Sequence, residues 1–181
     1  MNNFLIILIT GFIFMGCANA NQKEIEQIDE LLNLVTEVEN ELLAIDTSKV
    51  FAMKQQIVID FKEYTQFTDT ISKDEALRVD EIFGTKKKFI KISKNYTTFI
   101  KNAKHAKDQL NRLKTDLEKK LVSKEDYITY YQSEKIAVSD LKLRVSKSTS
   151  NFAVAISKYE LERPELLELI EKRRQRSVVN E

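Results

Sequence analysis

The sequence predicts an all-α protein, an elongated antiparallel helical bundle or coiled coil of three long helices, with a fourth segment if a turn forms at Asp46-Ser48. Three observations carry that prediction. From Gln22 onwards the only glycine is Gly84 and the only proline is Pro164. A sandwich, a barrel or a many-turned α/β fold needs a turn residue every ten or so positions, so those classes are excluded. Apolar residues recur at alternating steps of three and four and never with period two, which is the rhythm of a helix packed along one stripe. Finally, serine-led capping signatures cut the chain into near-equal thirds: 22–71, 73–121 and 124–176.

In the first third the stripe is Ile25, Ile28, Leu32, Val35, Leu42 and Ile45, resumed by Val50, Ile57, Phe61, Tyr64 and Ile71. Asp46-Thr47-Ser48 between the two runs offers consecutive N-cap types. Ser72 and Glu75 stand at the separation of a capping box and open the second third. There Ala76, Val79 and Phe83 lead to Phe89, Ile92, Tyr96, Phe99, Ala103, Ala106, Leu110, Leu113 and Leu117, with a phase shift and an expected bend at Gly84. Ser123-Lys124-Glu125-Asp126 is a weaker box that starts the last third. Its stripe is Tyr127, Tyr131, Val138, Leu141, Val145, Phe152, Ala155 and Tyr159, with Glu134 and Ser148 as polar exceptions. Pro164 is expected to end or kink the last helix near Glu162, because it lacks an N–H and crowds the preceding turn. A helix of about 49 residues is roughly 70 Å long. Equal thirds joined by short turns favour antiparallel neighbours.

Charge is an independent check. The 181 residues carry 29 Lys+Arg against 28 Asp+Glu, and 43% are apolar. This is neither a disordered chain nor a multi-span membrane protein. The balance hides two blocks. Residues 23–46 hold eight acids and one base, and residues 86–124 hold thirteen bases and three acids. A fold-back at Ser72 sets position i opposite roughly position 144 − i, so the basic block lies along the acidic one. Exposed pairs are each worth under about 1 kcal/mol, so they select register more than they stabilise.

Residues 4–15 (FLIILITGFIFM) are almost wholly apolar, and no charge precedes Lys23. The run is too short for a stable span and has the length of a signal-peptide core. It ends at Gly16-Cys17, followed by the small residues Ala18-Asn19-Ala20-Asn21. Phe14-Met15-Gly16-Cys17 resembles the lipobox of bacterial lipoproteins. That resemblance implies removal of residues 1–16 as a signal peptide, lipid attachment at Cys17 and a lipidated tether over 17–22. A single helical-bundle domain over 23–176 and a C-terminal tail over 177–181 would follow. Two or more acyl chains would make the membrane anchor stable. Ala18 in place of aspartate points, by the family rule, to the outer membrane, with the periplasmic face favoured over the cell surface. A plain secretory peptide cleaved near Ala18-Asn19-Ala20 is the competing reading.

The residues that could carry chemistry have structural explanations. One cysteine permits no internal disulfide, and one histidine, His105, makes a histidine-built metal site improbable. No glutamate stands at the spacing from His105 that a di-iron bundle needs. Glu134 is an isolated inward carboxylate expected to reach a bundle edge. Lys86-Lys87-Lys88 resembles a nucleic-acid patch, but the export signal argues against nucleic acid as a partner. Tyr96, Phe99, Tyr127, Tyr131, Phe152 and Tyr159 fill a wide core or line an apolar groove for a ligand or partner helix. Lys172-Arg173-Arg174-Gln175-Arg176 reads as a solvated basic helix end. Asp69-Thr70-Ile71 resembles a short pattern that some bacteria O-glycosylate in exported proteins. No catalytic, cofactor-binding or metal residue is assigned, so the expected protein is no enzyme. It is a lipid-anchored envelope spacer, scaffold or adaptor for another envelope protein. The alternative is a carrier or chaperone for a hydrophobic ligand or an unfolded outer-membrane protein.

Overall fold

The computed structural model describes residues 21–179, and over them the chain is helical with no strand. Six helices follow in order: α1 Gln22–Leu43, α2 Thr47–Thr65, α3 Lys73–Phe83, α4 Lys86–Glu118, α5 Lys124–Thr149 and α6 Phe152–Val179. The three serine- or aspartate-led starts form as expected. Asp46 accepts from the Lys49 N–H at 2.9 Å, Ser72 from Glu75 at 3.1 Å and Ser123 from Asp126 at 3.1 Å. Each bond satisfies one of the amide donors that a helix start leaves without an intrahelical partner.

Three uninterrupted long helices do not form, because each third is broken once. The turn at Asp46 opens, separating α1 from α2. A tight turn at Gly84-Thr85 separates α3 from α4, where the Gly84 N–H reaches the Glu81 carbonyl at 3.2 Å. The third break was not anticipated. Ser150 is extended, and Asn151 adopts a left-handed backbone with φ 58°. Asparagine tolerates that region better than most residues. Pro164 does not end the last helix, since α6 continues past it to Val179. The proline costs on the order of 3 kcal/mol. Tyr159 and Leu166 are fully buried, and Ile170 nearly so, on either side of it, and this anchorage holds the helix together. Residues 177–179 therefore continue α6 rather than forming a separate tail.

Long-range bonds give the directions. Lys114 binds Asp29 at 2.6 Å and Lys107 binds Glu39 at 2.6 Å, so α4 runs antiparallel to α1 close to the fold-back register. Tyr127 donates to the Glu24 carbonyl near the start of α1. Thr149 donates to the Glu41 carboxylate near its end, so α5 runs parallel to α1. In the other half, α6 runs parallel to α2 and antiparallel to α3. Arg78 of α3 holds Glu162 at 3.0 Å and Glu165 at 2.6 Å, and Lys158 holds Glu81 at 2.9 Å.

The apolar stripes close into two cores. The first joins α1, the later part of α4 and α5, around Ile28, Val35, Leu42, Phe99, Leu110 and Val138. The second joins α2, α3, the start of α4 and α6, around Ile57, Ile82, Phe89, Tyr159 and Leu166. Ile45, at the α1–α2 break, touches both. Every apolar position predicted for the core of α5 and early α6, from Tyr127 to Tyr159, is buried, as is Ser148, whereas Glu134 is half-buried.

Leu110 is fully buried, so Leu110→Ala should cost about 2–5 kcal/mol through lost transfer energy and a residual cavity. Leu143 stands half-exposed on the outer face of α5, so Leu143→Ala should stay within about 0.5 kcal/mol of wild type. Urea unfolding of the two variants checks the contrast, and equal midpoints would mean that the helix phase is wrong.

Candidate functional site

The densest polar chemistry lies at the end of the bundle where α2 hands over to α3 and α6 finishes. Asp60 sits at a core position of α2, between Ile57 and Tyr64, and only 1% of it is exposed. Its carboxylate accepts from Tyr159 Oη at 2.5 Å, Gln56 Nε2 at 2.7 Å and Arg163 Nε at 2.8 Å. Burial by itself pushes the Asp60 pKa up. The hydrogen bonds from Arg163, Tyr159 and Gln56, with the Arg163 charge, outweigh it and hold the carboxyl below its usual range. Burial and the bond to Asp60 push the Tyr159 hydroxyl well above its ordinary value, so it remains a donor.

Nearly three turns beyond Arg163 on α6, Arg173 is as deeply placed, with 4% exposed. It donates to the carbonyls of Tyr64 at 3.0 Å and Phe67 at 2.9 Å, and to the Asp69 carboxylate at 2.8 Å. Its guanidinium stacks 4.6 Å from the Tyr64 ring centroid. Arg176 adds an ion pair to Asp69 at 3.0 Å, and Tyr64 Oη donates to Glu75 at 3.1 Å. Hydrogen bonding from Arg173 holds the Asp69 carboxyl below its usual range. The residues between α2 and α3 are therefore clasped by the last turns of α6. Of the basic end expected to be solvated, Arg173 is instead buried, while Lys172, Arg174 and Arg176 remain exposed; Arg174 pairs at the surface with Glu63 and Glu171.

A second feature is a shallow cleft between α4 and α5 in the other half. One stretch of about 360 Å³ is lined by Gln109, Arg112, Asp116, Tyr130, Ser133 and Glu134. It adjoins another of about 210 Å³ that shares Gln109 and Glu134 and includes His105, Asp140 and Arg144. Glu134 is half-buried and lines both stretches of the cleft. One of its carboxylate oxygens is buried without a hydrogen-bond partner. Burial pushes its pKa up, with only the His105 charge working the other way. His105 lies on the exposed face, as expected. Among the described residues no cluster of His, Cys, Asp or Glu could hold a metal ion.

The six aromatic residues expected to line a groove do not share one. Phe99, Tyr127 and Tyr131 are buried in the first core with Tyr96 packed at its margin, and Phe152 and Tyr159 are buried in the second. Their rings pack on neighbours. Phe89 meets Phe152 edge-on at 5.4 Å, and Tyr127 stacks on Tyr131 at 5.6 Å. The apolar-groove assignment is corrected accordingly: these side chains fill core volume. Asp69-Thr70-Ile71 lies in the clasped segment with Thr70 exposed. Cys17 and the lipobox-like segment fall outside the described residues. No described helix is long and apolar enough to cross a membrane.

Sequence reasoning missed both buried polar anchors. Asp60 was detectable, since it stands at a core step between Ile57 and Tyr64. Arg173 was not, because its partners lie more than a hundred residues away in sequence. Comparisons with protein-family models, with curated proteins and with solved structures find no match.

Arg173→Leu should cost about 3 kcal/mol, since it strips the carbonyls of Tyr64 and Phe67 of their donor and leaves Asp69 with Arg176 alone. A thermal scan that places the variant at the wild-type midpoint would show the clasp to be incidental. Glu134 and Asp60 should respond oppositely to pH. The Glu134 carboxyl has a raised folded pKa, so the stability it contributes is full below its unfolded value and is lost as pH rises through the folded one. Glu134→Leu should therefore gain more stability at neutral pH, about 1 kcal/mol, than under acid. The Asp60 pKa is lowered, so its contribution is full at neutral pH and is lost as pH falls through its folded value. The deficit of Asp60→Asn should shrink in acid. Midpoints near pH 7 and near pH 4 follow Glu134, and a further midpoint at about pH 2.5, below the ordinary aspartate value, follows Asp60.

Proposed function

We propose that this chain is a non-enzymatic, lipid-anchored protein of the bacterial cell envelope that serves as a helical spacer, scaffold or adaptor for another envelope protein. The observation that supports the reading is that α1 starts and α6 finishes at opposite ends of the bundle. α1 starts beside the end of α4 and the start of α5. Asn21 Nδ2 donates to the Leu117 carbonyl at 3.0 Å, and Tyr127 Oη reaches the Glu24 carbonyl at 3.2 Å. α6 finishes at the opposite end, against the α2–α3 segment. Taken as three struts of two helices each, the bundle separates these ends by about 65 Å over the length of α1 and α2.

Only residues 18–21 stand between Cys17 and α1. A lipid on that cysteine would hold the first end at the bilayer, and two acyl chains make such anchoring stable. The clasped end would then stand away from the membrane. Its arginines are occupied by Asp69, Glu75 and Glu63, so it presents a fixed surface rather than a loose basic tail. The outer membrane, on its periplasmic face, is the destination the lipobox-like segment favours.

Two experiments test the parts separately. Cys17→Ser should abolish labelling by a fatty-acid analogue and release the protein from the membrane fraction. Unchanged membrane association would sink the anchor. A spin-label distance between positions 23 and 175 should exceed roughly 50 Å, and a value near 20 Å would overturn the spacer geometry.

A further inference from the structure

The basic block of α4 is only partly neutralised. Residues 86–107 contain eight lysines and no carboxylate. Lys86 lies over the Phe61 ring, 3.2 Å from its centroid, and Lys107 binds Glu39 at 2.6 Å. Lys87, Lys88, Lys91, Lys94, Lys101 and Lys104 are exposed, and no ion pair is made to any of them among the described residues. Lys87, Lys91, Lys94, Thr98 and Lys101 follow the same alternating steps of four and three as the buried seam, but on the opposite face. The four lysines form one cationic line interrupted only by Thr98, about 21 Å from Lys87 to Lys101, with Lys88 and Lys104 beside it.

Folding does not ask for this line. Like charges three and four residues apart destabilise a helix. The first turn of α4 has no acidic residue and instead holds lysines, where the helix dipole favours anions. A local rule broken without a compensating contact marks a surface kept for another purpose. We propose that this face of α4 is a docking surface for the anionic headgroups of a lipid bilayer.

The shape and residue type select that partner. The line is a convex ridge, suited to a flat surface. Its cations are lysines, mobile point charges without the planar fork that arginine uses for bidentate recognition. No Phe, Tyr or Trp stands along the line to stack on a base, and the one imidazole on this face, His105, lies at its far end. Each lysine near an anionic bilayer contributes about fivefold in partitioning. The inference does not depend on acylation of Cys17: a rod lying with this ridge on a bilayer is a state distinct from the upright spacer, so the spin-label distance and the vesicle response test the two readings separately.

The test uses the full chain with Cys17→Ser, which leaves a unique thiol to be introduced by Thr98→Cys and labelled with a polarity-sensitive dye. A control label goes on α5 through Ser139→Cys. With vesicles containing about 30% phosphatidylglycerol in neutral lipid, the label at 98 should respond and the label at 139 should not. The response should vanish when salt rises from about 50 mM to about 500 mM. Replacing Lys91, Lys94 and Lys101 by serine should weaken it about a hundredfold at unchanged helical circular dichroism. If that variant loses helicity, serine at 87, 88 and 104 replaces it and the same loss is expected. The proposal is overturned by silence at position 98, by an equal response with purely neutral vesicles, or by equal responses at 98 and 139. It is also overturned by full binding of the lysine-depleted chain, or by a response to soluble dextran sulfate without one to vesicles, which would assign the ridge to an acidic polymer.

Discussion

The structure depends on one helix. α4 is the longest element, and its buried seam runs from Phe89 and Ile92 in one core to Phe99 through Leu117 in the other. The other two strands of the bundle are interrupted near the same level. The α1–α2 and α5–α6 breaks face each other across a cleft of about 410 Å³ lined by Ala44, Ile45, Ser150 and Phe152. Two interruptions at one level would leave a hinge if nothing rigid crossed it. α4 crosses it without a break, and bending α4 would cost its backbone bonds and the burial of Ile92, Phe99 and Ala103 together. The two halves are thereby held as one rod.

The two halves use their cations differently. Around the second core, arginines do the internal binding: Arg78 with Glu162 and Glu165, Arg163 with Asp60, and Arg173 with Asp69 and two carbonyls. A planar guanidinium can meet several acceptors at once and stack on a ring, which is what these partly buried places demand. On the outside of α4 the cations are lysines, which keep their ammonium groups hydrated. The near-zero net charge is therefore not one of paired blocks. α1 acids hold only some of the α4 cations, Lys86 lies over the Phe61 ring, and Lys87, Lys88, Lys91, Lys94, Lys101 and Lys104 face outwards.

Much of the fold was legible because burial in a helical bundle is periodic. The steps of three and four named the seam residues of α4 and α5, and the caps at Asp46, Ser72 and Ser123 named the starts. What escaped was whatever periodicity does not encode. Asn151 breaks the third strand while the stripe keeps its phase from Ser148 to Phe152, so no irregularity marked it. The run Ser148-Thr149-Ser150-Asn151, poor in helix formers, was the available signal. Pro164 misled because its cost is local while its compensation, the burial of Tyr159 and Leu166, is tertiary. Arg173 misled because a basic helix end is usually solvated. The aromatic residues were correctly placed inside, but nothing local tells a filled core from an open groove.

The buried polar groups also answer a problem the periodicity creates. A seam that repeats every seven residues can slide by one heptad and still bury apolar side chains, so hydrophobic contact alone specifies register weakly. In the second core, sliding α6 along α2 would take Tyr159 and Arg163 away from Asp60 and Arg173 away from the carbonyls of Tyr64 and Phe67. Each would be left unpaired in a dry environment, at a cost of several kcal/mol. Buried polar groups serve such a registry role in helical bundles generally. The first core has fewer such locks: the Tyr127 hydroxyl on Glu24 and Gln27, and the ion pairs of Asp29, Glu37 and Glu39 at its edge. There the acidic face of α1 against the basic flank of α4 discriminates between registers, since a heptad slip would separate Lys107 from Glu39 and Lys114 from Asp29. Surface charge sets one half of the rod and buried charge the other, with α4 carrying the register between them.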